Sequence, residues 1–158
     1  MIIITALFGL ILTSCLLVLS WIDWTSFRLP DKITLPLIIL GLIQTSLLAL
    51  DLTAHIIGAA LGYLIFFMIE TLYRHIRGHQ GLGRGDAKLL AAGGAWCGWT
   101  ALPYIILLSS LSALSFIFLR MMISGMKIKK GIPVKLPFGP FLGFGIFFSW
   151  IAFIATRV

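Results

Sequence analysis

The chain has 158 residues, of which 60% are hydrophobic and only 11% are charged, and its net charge is +7. A soluble domain carries about 25% charged residues, so this composition excludes a water-soluble globule and predicts one membrane-embedded domain over residues 1–158. The basic residues lie in short gaps between apolar runs, which indicates membrane topology and contact with anionic headgroups rather than a nucleic-acid partner.

Six apolar runs follow one another, and each is predicted to be helical because backbone groups in lipid must be paired internally. The first run lacks a basic leader segment and a small-residue cleavage site, so it is interpreted as a retained helix and not as a signal peptide. The fourth is short and glycine-rich, which is typical of an interior helix. The predicted fold class is therefore all-α, a polytopic integral membrane bundle of about six transmembrane helices over residues 2–22, 33–50, 55–73, 87–100, 102–122 and 138–156.

The positions of the basic residues predict the orientation of this bundle. Eleven of the twelve Lys and Arg residues fall between helices one and two, three and four, or five and six. Positive residues prefer the cytoplasmic side of a membrane. The sequence therefore predicts three cytoplasmic loops and both termini on the opposite face. The basic stretch 127–130 is interpreted as topology-setting charge, with attraction of acidic substrate groups or lipid headgroups as the alternative.

Only five carboxylates occur, and an acid in or beside lipid is costly enough to need a reason. Asp23 directly follows the first predicted helix, where the negative end of the helix dipole disfavours an acid, so a functional role is favoured there. Asp31 is expected to cap the second helix, with a secondary role in the site as the alternative. Asp51 is expected to be solvated, and Glu70 to pair with Arg74 one turn later.

Asp86 immediately precedes the fourth predicted helix and occupies an expected N-cap position. Capping alone does not account for Gly83 and Gly85, which give the backbone freedom to bring a substrate strand close to the acid. Gly83, Gly85 and Lys88 are therefore expected to shape a site around Asp86.

Two carboxylates that share a site cannot easily both ionise. The ionised one can deprotonate a water, while the protonated one polarises a scissile carbonyl and then protonates the leaving amine. Such a pair hydrolyses a peptide without a cofactor or metal, although spacing alone does not bring Asp23 and Asp86 together. His75 and His79 have a spacing that could hold a metal on a helix, but they lie in a predicted loop without an H-E-x-x-H motif, so no metal site is predicted.

Three stretches of this sequence resemble the type IV prepilin peptidases, and with the helix pattern the resemblance covers nearly the whole chain. They are DWTSFRLPDKITLP at 23–36, GRGDAKLLAAGGAWCGW at 83–99 and PFGPFL at 137–142. The resemblance implies a GxGD-type aspartyl endopeptidase of the bacterial inner membrane, with Asp23 and Asp86 as its catalytic pair. It also implies cleavage of type IV prepilins or type II secretion pseudopilins at the cytoplasmic face, from substrates with a basic leader and an apolar helix.

One departure from the family pattern limits what the resemblance implies. Many members carry an N-terminal cytoplasmic portion with paired C-x-x-C motifs, and they also methylate the new N terminus. This sequence begins directly with the protease-like part, and its two cysteines, Cys15 and Cys97, form no such pair. The expectation is a short form, and methyltransferase activity, which needs S-adenosylmethionine, is not predicted.

Two functions of other classes stay open at this point. A small proton-coupled transporter or channel also uses intramembrane acids and glycine-broken helices, although its site is expected at the midplane and not at one membrane edge. A non-catalytic assembly subunit of a secretion system is the other alternative. Peptide cleavage, ion flux in sealed vesicles and function without the two aspartates distinguish the three.

Overall fold

The computed structural model describes residues 2–77, 83–124 and 136–156, and within these ranges the chain is helical with no β-strand. A 3₁₀ turn, Trp99–Ala101, precedes the fifth helix. The all-α prediction and the order of the helices are confirmed. The helices are α1 (Ile2–Ser26), α2 (Asp31–Leu47), α3 (Leu52–Arg77), α4 (Arg84–Cys97), α5 (Leu102–Ser124) and α6 (Gly139–Ala155).

Three segments of the described chain are long and apolar enough to cross a membrane: Ile3–Ser26, Leu52–Ile76 and Trp99–Ile123. They correspond to α1, α3 and the 3₁₀ turn with α5. The remaining helices are shorter, and α6 is apolar over 17 residues. Large hydrophobic side chains cover the outside of the bundle, a surface that lipid can solvate and water cannot. The prediction of an all-α membrane bundle is confirmed.

Helix α4 lies inside the bundle, and its residues from Leu89 to Cys97 are all buried. Its backbone touches that of α3, because a Cβ atom at Gly58 would lie only 2.5 Å from the carbonyl oxygen of Gly94. Small residues allow two helices to approach this closely. The interior position predicted for the fourth helix is confirmed.

Trp96 fixes α2 to the other side of α4. Its indole is fully buried, and its Nε1–H donates a hydrogen bond of 2.8 Å to the carbonyl oxygen of Leu37. Gly41 leaves room for the ring, since a Cβ there would lie 2.5 Å from Cδ1 of Trp96. The glycines and this tryptophan therefore hold α4 between α2 and α3.

Helix α1 extends four residues beyond its predicted end, as far as Ser26. The hydroxyls of Thr25 and Ser26 donate hydrogen bonds to the carbonyl oxygens of Trp21 and Ile22 in the preceding turn, a common arrangement for Ser and Thr within a helix. Phe27 follows in the left-handed region at φ 52°, which is uncommon for a non-glycine residue, and the chain turns there into α2. The sequence predicted that Asp23 follows the helix. In the structure Asp23 lies instead within the last turns of α1.

Candidate active site

Asp23 is held in place by the start of α6. Its side chain is buried, with 5% of the residue exposed, and its Oδ2 accepts a hydrogen bond of 2.8 Å from the backbone N–H of Gly139. Gly139 is the first residue of α6, so this N–H has no partner within its own helix. The positive end of α6 thus offsets the unfavourable negative end of α1, at which the acid lies.

The sequence placed Gly139 at the start of the last helix but predicted no role for it in the site. A Cβ atom at this position would lie 2.7 Å from Oδ2 of Asp23. Only glycine therefore lets the α6 backbone approach the carboxylate closely enough to donate this bond. The only sequence signal was a glycine next to the proline that begins an apolar run.

Asp86 lies in the first turn of α4, and its predicted role as N-cap is wrong. The helix begins at Arg84 with Gly83 as N-cap, which makes Asp86 the third helical residue. Its Oδ2 accepts a hydrogen bond of 3.2 Å from the backbone N–H of Gly83. An acid at this position can reach back to the N-cap amide, which is the half of a capping box that needs no side chain at Gly83.

The environment of Asp86 favours its protonated form. Burial raises the pKa of this carboxyl, the nearby charge of Asp23 raises it further, and the Gly83 hydrogen bond lowers it, with a net value of about 7. The effect of Asp23 on this pKa shows that the two acids are electrostatic neighbours. Both line one cleft of about 280 Å³. The structure therefore brings together the two residues that sequence spacing could not join.

Lys88 and Asp31 form an ion pair at the rim of the same cleft. The Lys88 Nζ lies 2.5 Å from Oδ1 of Asp31, and 56% of the Asp31 side chain is exposed. The prediction that Asp31 caps α2 is wrong, because Pro30 is the N-cap and Asp31 is the first helical residue. The carboxylate bonds to α4 instead of to its own helix end.

Gly83 and Gly85 come three residues and one residue before Asp86. Neither adopts a conformation reserved for glycine, because Gly83 has φ −78° and Gly85 has no positive φ. Gly85 is needed for space, since a Cβ there would lie 2.7 Å from Cβ of Leu29. This contact packs the start of α4 against the α1–α2 turn. Gly85 therefore sets the position of Asp86 relative to that turn.

Glu70 is buried near the cleft, with its side chain 5% exposed. The predicted pair with Arg74 is wrong: among the described residues Glu70 lies instead 3.8 Å from Nε of Arg84. Arg84 begins α4 two residues before Asp86. The ion pair thus connects α3 to the first turn of α4.

The residues discussed for metal binding give no site in the described chain. His75 lies on α3, whereas His79 is outside the described residues. In the ranges that the structure describes, no three His, Cys, Asp or Glu side chains are grouped so that they could hold a metal ion. The basic stretch 127–130 is also outside the described residues.

Asp23 and Asp86 thus line one cleft, and each belongs to a segment that carried the resemblance. The model of the type IV leader peptidase family matches residues 10–119, a range that contains both acids. The chain belongs to the type IV leader peptidase family.

Three curated relatives show the extent of the similarity, and each bears the name prepilin leader peptidase/N-methyltransferase. The protein of Stutzerimonas stutzeri is 42% identical over 148 residues, which are 92% of this chain and 48% of the relative. The protein of Pseudomonas aeruginosa has the same identity and coverage. The protein of Pectobacterium carotovorum is 40% identical over 92% of this chain and 52% of its own length. The chain spans about half the length of the curated relatives it matches. No solved structure gives a significant match.

Proposed function

We propose that this protein is a membrane aspartyl endopeptidase that removes the basic leader from type IV prepilins or type II secretion pseudopilins. The observation that carries the proposal is that two buried carboxylates, Asp23 and Asp86, line one cleft. Family membership and the names of the relatives support the substrate class. The proposal is limited to the peptidase step.

The two acids divide the chemistry between them. Burial and the neighbouring Asp23 raise the pKa of Asp86 to about 7, and because two close carboxylates do not readily both ionise, we assign the shared proton to Asp86. Asp23 is therefore the general base, fixed in position by the Gly139 N–H. Asp86 is the general acid on the other side of the scissile peptide bond.

In the first step Asp23 takes a proton from a water, and the resulting hydroxide attacks the scissile carbonyl while Asp86 donates a hydrogen bond to its oxygen. In the second step the carbon–nitrogen bond breaks as Asp86 gives its proton to the leaving amine, and the proton that Asp23 took from water then passes to Asp86. The net reaction consumes one water and yields a carboxyl and an amine, with the dyad restored. No cofactor enters this sequence.

The cleft is proposed to face the cytoplasm. Four of the described basic residues lie at the same end of the bundle as the aspartates, and positive residues favour the cytoplasmic side. They are Arg28, Lys32, Arg84 and Lys88. Helix α1 then starts and α6 ends on the periplasmic side of a bacterial inner membrane. The basic leader would be cleaved on the cytoplasmic side, where the substrate is synthesised.

The test is reconstitution of the purified protein in sealed vesicles with a synthetic prepilin-type peptide that has a basic leader and an apolar helix. The proposal predicts two fragments, identified by mass, that together account for the substrate and one water. Ion flux without cleavage would instead establish the transporter alternative. Normal pilus assembly by a chain carrying both Asp23→Asn and Asp86→Asn would establish the assembly-subunit alternative.

A further inference from the structure

A groove runs along the lipid-facing side of the bundle between α1 and α6. It has a volume of about 260 Å³ and is bounded by the side chains of Thr13, Leu16, Leu17 and Ser20 on α1 and of Pro140, Gly143, Phe144 and Phe147 on α6. We refer to it as the α1–α6 groove. It is open to the membrane, since Leu17 is 66% and Phe144 46% exposed.

The groove is apolar apart from two hydroxyls. The hydroxyl of Thr13 already donates a hydrogen bond of 2.7 Å to the Gly9 carbonyl of its own helix. At the floor, a Cβ atom on Gly143 would lie 3.3 Å from Oγ of Ser20 and 3.8 Å from Cβ of Leu16. Small residues at such a place let another helix approach the backbone closely.

The groove leads towards the aspartate cleft. Its α1 residues occupy positions spaced three, four and seven apart, which is one face of a helix, and Asp23 comes three residues after Ser20 on that face. On the opposite wall, Pro140 directly follows Gly139, whose N–H bonds to Asp23. The membrane-facing groove and the proposed active site therefore share the junction of α1 and α6.

The length of the groove fits about two turns of a helix. From Thr13 to Ser20 the helix advances by seven residue steps, a rise of about 10 Å at 1.5 Å per residue. An occupant that reached from Thr13 to Asp23 would extend over about 15 Å, half of the bilayer core. An apolar helix recognised through anchors one turn apart has this dimension.

We propose that the α1–α6 groove binds the apolar helix of the substrate, so that the junction between this helix and the basic leader lies at Asp23. The inference rests on the peptidase function proposed above and adds where the enzyme holds the part of the substrate that it does not cut. A helix seated there runs parallel to α1 and α6, and its cytoplasmic end must leave the membrane at the cleft. The groove thereby determines which peptide bond reaches the two acids.

The test is photo-crosslinking in vesicles with the full chain carrying Asp86→Asn, so that the substrate stays intact. Benzoylphenylalanine replaces Leu17 or Phe144 in the groove, and Leu107 or Leu114 on α5 as matched controls, which are 62% and 63% exposed. The probe is a labelled peptide with a basic leader and an apolar helix. All four sites face lipid, so the substitutions do not disturb the interior.

The proposal predicts substrate adducts from the groove positions at least tenfold more abundant than from the α5 positions. An excess of the apolar helix without its leader is expected to suppress them. Equal labelling from α5, adducts with a second copy of the chain, adducts with lipid alone, or labelling that the excess helix leaves unchanged would overturn it. A cleavage assay of the unsubstituted chain in the same vesicles distinguishes the groove proposal from the peptidase proposal. If the chain cleaves the peptide but the crosslinking gives one of the contradicting results, only the groove proposal is rejected. If the chain does not cleave the peptide, both proposals are rejected.

Discussion

The backbone N–H of Gly139 donates a hydrogen bond of 2.8 Å to the carboxylate of Asp23, although 116 residues separate the two in the chain. The bond joins the last turns of α1 to the first residue of α6. It gives a buried acid a fixed orientation, and it places the positive end of one helix against the negative end of another. The position of the proposed general base therefore depends on a glycine from a distant segment.

Replacement of this glycine by alanine is expected to impair catalysis while the chain still folds. In Gly139→Ala the new Cβ would lie 2.7 Å from Oδ2 of Asp23, so the carboxylate or the start of α6 must shift. A displacement of about 1 Å at a reacting group can cost on the order of 100-fold in rate. We expect a loss of that size in kcat, measured by mass spectrometry of the cleaved peptide.

The control for this variant is Ser149→Ala on the same helix. The Ser149 hydroxyl is buried and has no hydrogen-bond partner in the described part of the chain, so its removal is expected to leave the rate within about twofold of the original. Full activity of Gly139→Ala would show that the hydrogen bond to Asp23 does not position the base.

Peptidase activity is expected to fall as the pH rises through about 7. The pKa of Asp86 is raised from 3.8 to about 7, first by burial and then by the charge of Asp23. Below this value Asp86 holds the proton that the leaving amine needs, and above it the proton is lost, so kcat/KM should decrease about tenfold per pH unit. The measurement is the pH profile of kcat/KM on a peptide without titrating groups near pH 7.

The same shift has a consequence for folding. An acid whose pKa is higher in the folded than in the unfolded chain stabilises the fold fully below about 3.8 and loses that contribution as the pH rises through about 7. Assignment to Asp86 is checked by a carbon-13 NMR titration of labelled aspartate in Asp23→Asn, where removal of the neighbouring charge should lower the pKa of Asp86. An unchanged titration would mean that the two acids do not interact.

Asp31→Asn is expected to have a much smaller effect than loss of either buried acid. Asp31 pairs with Lys88 at the cleft rim, where 56% of the Asp31 side chain is exposed, and such pairs contribute only about 0.2–1 kcal/mol. We expect kcat/KM to fall by less than about tenfold in Asp31→Asn and in Lys88→Met. Inactivity of Asp31→Asn in the peptide assay would place Asp31 in the chemistry instead of at the rim.

Loss of Arg84 is expected to destabilise the fold more than loss of its partner. Arg84→Met leaves the Glu70 carboxylate, which is 5% exposed, without its cation, and an unpaired buried group costs about 1–3 kcal/mol. Glu70→Gln removes that charge, so the double variant should regain stability relative to Arg84→Met. Thermal unfolding in detergent gives the order of the melting temperatures of these variants, with Arg120→Met as an exposed control. Equal melting temperatures for Arg84→Met and the control would show that the pair contributes nothing.

The helices and the two acidic segments were predictable from the sequence, because hydropathy identifies apolar helices locally and the aspartates stand in unusual positions. Two predictions that failed concern the partner of Glu70 and the first residue of α4. The i,i+4 rule assigned Glu70 to Arg74 within one helix, but the observed partner, Arg84, comes from α4. Asp86 was placed at the N-cap because the rule favours an acid there, whereas the helix begins earlier and Gly83 takes that position.

The role of Gly139 could not be derived in the same way. A glycine that provides an N–H to a carboxylate 116 residues away looks, in sequence, like any glycine at the start of an apolar run. The same holds for Gly85, whose missing side chain makes space for Leu29. Such contacts are fixed by the packing of the helices, which a single sequence does not contain.

The most direct test of the account is cleavage of a prepilin-type peptide by Asp23→Asn and by Asp86→Asn, with Asp51→Asn as the matched control. Asp51 lies at the other end of the bundle, where its carboxylate accepts backbone hydrogen bonds from the first turn of α3, and asparagine caps helices equally well. The account predicts that either dyad variant inserts into the membrane normally but cleaves at least 1,000-fold more slowly, on the order expected when a catalytic group is removed, while Asp51→Asn cleaves at the original rate. Undiminished cleavage by either dyad variant would contradict it.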